Sequence, residues 1–133
     1  MTTELYWLTL TLLMTALFAF PYVLNRIGVR GLMGAMSGTR PENGGDHALW
    51  AQRAMGAHRN AVENLVLFAP AVLIAHALNL STGATKTAAM VYFIARLVHY
   101  VVYVLAVPVA RTLAFAAGLG ATFVFLVAIL GAA

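Results

Sequence analysis

Four stretches of this chain run almost without charge, at about positions 5–24, 61–80, 85–107 and 111–132, and its polar residues gather between them. A helix needs about 20 apolar residues to cross the hydrocarbon of a bilayer, so each stretch predicts one transmembrane helix. The first carries Tyr6 and Trp7 toward its outer end and Pro21 toward its inner end. Its flank, Met-Thr-Thr-Glu, lacks the basic region of a cleaved signal peptide, which predicts a retained span. A more polar helical run from about Asp46 leads into the second, as if one long helix rises from the interface, with Asp46 as its expected N-cap. Pro108 ends the third, and Gly118 and Gly120 suit the fourth to close helix contacts. Positions 25–46 hold seven of the chain's glycines and prolines and predict a loop.

Composition fits this pattern. Of 133 residues, 62% are apolar and 9% charged, against about 45–50% and about 25% in soluble domains. A small soluble fold has too little core for that excess. The expected fold class is therefore all-α: a single four-helix transmembrane domain over residues 1–133. With no cysteine, disulfides, thiolate metal sites and cysteine nucleophiles are excluded, and any thiol must arrive with a ligand. The net charge of +4 comes largely from seven arginines dispersed around the spans, not the basic patch that nucleic acid requires. Arg26, Arg30 and Arg40 lie in the first loop, Arg111 in the third, and only Lys86 near the second. The positive-inside rule then puts the first and third loops in the cytoplasm and both termini outside.

Ionisable residues inside a span are costly and usually face a bundle interior or a cavity. In the second helix, Arg53, Gly56, Asn60 and Glu63 fall on one stripe at 3.6 residues per turn, with Arg59 at its edge. In the third, Tyr92, Arg96, His99 and Tyr103 share a narrow arc. Both stripes lie toward the end that carries Arg111, so Arg59, Asn60, Glu63, Arg96, His99, Tyr103 and Arg111 can converge at one depth. Several cations, one carboxylate, an amide and aromatic donors suit a zwitterion with more than one carboxylate and an amine. The structural alternative is that Glu63 pairs with Arg96 or Arg53 and fixes helix register without binding anything. His58 and the lone His76 read as interfacial and bundle residues, and Tyr100 as packing. The four histidines share no helical face, so no metal site is expected.

The run from Arg53 to Glu63, R-x-x-x-A-H-R-N-x-x-E, followed by Asn64-Leu65-x-x-Phe68-x-Pro70, resembles the second-helix signature of the MAPEG family. These are membrane-associated proteins in eicosanoid and glutathione metabolism. Arg96-Leu-Val-His99-Tyr100-x-x-Tyr103 resembles that family's third-helix pattern. Length, four spans and a long basic first loop agree across nearly the whole chain, which resembles a bacterial member of the family. The resemblance implies a left-handed four-helix bundle assembled as a homotrimer in the bacterial inner membrane, with glutathione bound between subunits near the cytoplasmic side. It implies that Arg59, Asn60, Glu63, His99 and Arg96 contact glutathione, and that Arg26 or Arg30 supplies a first-loop arginine. Arg111 corresponds to the fourth-helix arginine that stabilises the thiolate, with Tyr103 as a hydrogen-bond donor beside it. One position departs from the pattern: Gly56 stands where several glutathione-using members carry arginine.

The implied activity is that of a glutathione-dependent transferase or peroxidase acting on lipophilic electrophiles that arrive from membrane lipid. A non-catalytic member that binds a lipid or a partner helix is the alternative. A small multidrug-type transporter of similar length would need a carboxylate deep in its first helix, and this one has no acid after Glu4.

Overall fold

The computed structural model describes residues 1–42 and 44–132. Among the described residues the regular secondary structure is helical: α1 (Thr3–Leu17), α2 (Ala19–Met36), α3 (Leu49–Ala77), α4 (Gly83–Val104) and α5 (Pro108–Gly131). Taken together as Thr3–Met36, α1 and α2 form one span; with α3, α4 and α5 they make four helical segments long and apolar enough to cross a membrane.

The break between α1 and α2 follows from Pro21. Proline has no N–H for the Leu17 carbonyl, and its ring crowds that carbonyl. The chain bends one turn earlier, at Phe18, whose N–H bonds Met14 and Thr15. Tyr100 of α4 grips the bend: its ring stacks on Phe18 at 3.8 Å and its hydroxyl donates to the Phe18 carbonyl at 3.2 Å.

Helix continues past residue 24, through much of the stretch expected to be loop, until Gly31 interrupts it at φ 68°. The irregular connection proper lies between Met36 and Leu49, and Arg30 organises it. The Arg30 guanidinium donates twice to the Asp46 carboxylate at 2.9 Å and once to the Pro41 carbonyl at 2.7 Å. That partner holds the Asp46 carboxyl well below the usual carboxylate range. Asp46 is therefore not the expected N-cap; its oxygens are already taken. The first orphan amide of α3, Ala48 N–H, instead donates to Asn25 Oδ1 at 3.4 Å, which ties the start of α3 back to α2.

α3 holds 29 residues, about 44 Å at ~1.5 Å per residue, longer than the ~30 Å hydrocarbon core. It ends with Asn79 left-handed at φ 55°, where Leu80 N–H reaches the Ala75 carbonyl and Asn79 N–H reaches that of His76. This paired closure satisfies carbonyls that would otherwise face lipid. α4 ends the same way, before Pro108 rather than at it: Ala106 lies at φ 59°, with Val107 N–H on the Val102 carbonyl. Pro108 then opens α5 at a position where no N–H is needed.

The core is built from small residues with a few aromatic fillers. Ala51, Ala54, Ala57, Ala61, Ala71 and Ala75 line the inner stripe of α3, and Ala88, Ala89 and Ala95 that of α4. Small residues let backbones approach, which replaces the hydrophobic drive that lipid removes. Phe68 stacks on Tyr92 at 3.6 Å and meets Phe125 edge-on at 5.6 Å, fastening α3, α4 and α5 together.

Two outcomes are expected. Ala106→Gly relieves a left-handed alanine and should raise stability by up to about 1 kcal/mol in reversible detergent unfolding, less the entropy that glycine adds to the unfolded chain. Asp46→Asn should increase proteolytic cutting of the 37–48 connection at neutral pH. In the native chain the clasp contributes fully above about pH 4, the unfolded carboxylate value, and is lost only as pH falls through the lower folded value.

Candidate functional site

The end of the bundle where α4 stops and α5 begins collects the basic residues. Arg96, three turns into α4, is only 1% exposed although it lies in a membrane-spanning helix. Its Nη2 donates to the Phe115 carbonyl of α5 at 3.0 Å, and Nη1 reaches Asn60 Oδ1 of α3 at 3.4 Å. Its guanidinium lies over Tyr92 and Phe115 at 5.4 and 5.6 Å from their centroids. Nε has no partner among the described residues. The space exists because α5 carries Gly118 here; a Cβ on that glycine would overlap the guanidinium.

One turn further along α4, buried His99 packs edge-on against Tyr103 at 5.6 Å and lies 6.3 Å from Phe115. Arg111, at the start of α5, covers the other part of the Tyr103 ring at 4.8 Å. From α3, Arg53 Nη1 donates to the Val104 carbonyl at 3.0 Å, capping the end of α4. Gly56 sits under the tyrosine. A Cβ there would stand 2.9 Å from its hydroxyl oxygen and 3.3 Å from its ring. The glycine therefore has a steric reason: it seats Tyr103. An arginine at this position would have to displace that ring.

Asn60 joins the helices through its side chain. Beside Arg96, it accepts from Asn64 Nδ2, at Oδ1 (3.3 Å) and at the backbone carbonyl (2.8 Å). The structure thus brings together Asn60, Arg96, His99, Tyr103 and Arg111, with Arg53 beside them. It does not bring in Arg59 or Glu63, which are exposed on α3. Among the described residues the ion pairs are Arg26–Glu42, Arg30–Asp46 and Arg40–Asp46, all at the first connection. Glu63 pairs with neither Arg96 nor Arg53, so the register-setting ion pair considered from sequence does not form within the chain. Arg30 serves the connection, not the cluster, and Arg26 lies 3.8 Å from Glu42.

His58 shares a hydrogen bond of 2.8 Å with the Tyr22 hydroxyl, linking α2 to α3 beside the cluster. Nothing in the local sequence foretells that contact, because its partners lie 36 positions apart. The same holds for Gly118, whose fit to Arg96 depends on how α4 and α5 pack. An apolar cavity of about 280 Å³ opens alongside, lined by Pro21, Trp50, Ala54, Tyr100, Val101, Val104 and Leu105.

Chemically, the arrangement is a positive corner in which Arg96 and His99 are buried, Arg111 lies exposed over the Tyr103 phenol, and an apolar groove runs near the end of α4. Such a corner favours an anion, because opposite charge is worth more where water is scarce.

The model of the MAPEG family matches residues 5–131. No curated protein and no solved structure matches the chain.

Gly118→Ala should lower stability by about 1–3 kcal/mol, the usual cost of overpacking a filled core. In an Arg96→Met background the same substitution should cost much less, and a double-mutant cycle in detergent unfolding checks the coupling.

Proposed function

The chain belongs to the MAPEG family, and from that premise we propose that it is a membrane-bound glutathione-dependent transferase or peroxidase for lipophilic electrophiles. The observation that carries this reading is the gathering of Arg53, Arg96 and Arg111 around the His99–Tyr103 end of α4, with no carboxylate ion-paired to any of them among the described residues. Of the three only Arg96 is buried, and a buried guanidinium without a counter-charge is expensive unless a ligand supplies the anion.

A free thiol titrates near about 8.5, so at neutral pH little of it is thiolate; nearby guanidinium groups favour the anion. Arg111 fills that role in this reading, with the Tyr103 hydroxyl as hydrogen-bond donor to the sulfur. Thiolate attack forms the sulfur–carbon bond while the electrophile's carbon–oxygen or carbon–halide bond breaks; the departing group takes the electron pair, and an alkoxide takes a proton. The electrophile reaches the sulfur from the bilayer along the groove beside Tyr100.

Arg59, Asn60 and Glu63 bind the rest of the tripeptide, Glu63 facing its ammonium and Arg59 a carboxylate, and Arg26 or Arg30 adds a contact from the first connection. Since Arg59 and Glu63 point outward from their own chain, the site is completed by a second copy. A charge at membrane depth facing lipid costs about 2.5–3.5 kcal/mol on insertion scales, which favours covering it with protein. A homotrimer with the tripeptide between subunits meets this need, with the first and third loops on the cytoplasmic side. The bacterial inner membrane suggested by the resemblance is the proposed location.

A second reading, a non-catalytic member that binds a lipid or partner helix, is favoured by Gly56. The room that an arginine would use for a ligand carboxylate is occupied by Tyr103. The two readings separate on Arg111→Leu. Conjugation of a model aryl halide should fall at least tenfold while glutathione binding stays near native; unchanged turnover, or no turnover in the native protein, sinks the transferase.

A further inference from the structure

At the opposite end of the bundle, Glu4 lies 4% exposed in the first turn of α1. One carboxylate oxygen, Oε1, accepts from the hydroxyls of Thr85 at 2.7 Å and Ser81 at 2.9 Å. The other, Oε2, is buried and has no partner among the described residues. A small cavity of about 130 Å³, lined by Glu4 together with His76, Asn79 and Ser81, lies between the start of α1 and the α3–α4 turn. A buried carboxylate oxygen left bare is among the costlier features a fold can keep.

The surroundings define what would satisfy it. Ser81 and Thr85 already spend their hydroxyl protons on Oε1, so the free lone pairs of Oε2 call for a donor from outside. Tyr6 and Trp7, in the turn after Glu4 and packed edge-on on each other at 5.7 Å, mark the depth at which aromatic side chains meet lipid head groups. Lys86, one turn along α4 from the cap residue Thr82, is exposed at the same end. A carboxylate in a pocket and an ammonium outside it form a pair of opposite sign.

We propose that this pocket receives a primary ammonium group through Glu4 Oε2, and that the bilayer supplies it as a phosphoethanolamine head group whose phosphate faces Lys86. The choice of a primary amine follows from the need for N–H donors, which a trimethylammonium lacks. The pocket lies at the far end of α3 and α4 from the arginine cluster, and it stands or falls separately from the transferase reading.

The test is thermal unfolding of the purified full-length protein in detergent, titrated with dihexanoyl phosphatidylethanolamine, dihexanoyl phosphatidylcholine or free ethanolamine. A ligand that binds only the folded state raises the midpoint with its concentration. The ethanolamine lipid should raise it and the choline lipid should not, and Glu4→Gln should remove the response. A shift from free ethanolamine alone, also lost in Glu4→Gln, supports the ammonium site and moves its source to solution. Because Glu4→Gln also changes a buried hydrogen-bonded group, His76→Trp, on the exposed rim, serves as a second variant. It should leave the unliganded midpoint unchanged and block the response. Equal shifts from both lipids, no shift from any probe, or a response that survives both substitutions overturns the proposal.

Discussion

Hydrocarbon cannot solvate a guanidinium, and Arg96 must nonetheless sit inside a bundle that hydrocarbon surrounds. Much of the site end of the structure answers that requirement. Gly118 removes a side chain so that α5 can close over the group, the Phe115 carbonyl and Asn60 take its protons, and Tyr92 and Phe115 offer ring faces. Asn60 in turn is steadied by Asn64, so the third, fourth and fifth helices share one polar junction. The solution is incomplete in one respect: the charge is donated to neutral acceptors only, and Nε is left over. In the proposed function, an anionic ligand completes that corner.

The same constraint explains why the chain divides its chemistry between two ends. Around Tyr103 the charges are positive and crowded, held by Arg53 on the end of α4 and Arg111 over the ring. At the other end a single carboxylate is buried beneath two hydroxyls. Between them lies a middle of alanines and stacked aromatics whose buried polar groups are hydroxyls, those of Thr11, Thr15, Tyr92 and Thr122. Charges that serve only the fold are kept outside the membrane, as in the Arg30–Asp46 clasp.

What could be read in the sequence was what depends on a single helix. The spans follow from apolar length, and the Arg96, His99, Tyr103 arc follows from 3.6 residues per turn. What could not be read was what depends on two. Asp46 carries the ordinary signal of an N-cap, yet a bidentate arginine sixteen positions earlier outcompetes a lone backbone amide. Glu63 lies on the same stripe as Arg53 and Asn60, but the helix turns its side chain outward, which no periodicity reveals. Gly56 reads as a missing arginine and is, in the fold, the seat of Tyr103. Glu4 looks like a solvated flank residue, and only the approach of the α3–α4 turn buries it.

The central claim is that a ligand of opposite charge completes the arginine corner and that Glu63 holds the ligand's amine. Calorimetric titration of reduced glutathione into the purified native protein, beside Glu63→Gln and Arg59→Ala, addresses it most directly. Saturable binding that both substitutions abolish, with oligomeric state unchanged, is the expected result. Absence of binding to the intact native protein would contradict it and leave the polar stripes with a structural role alone.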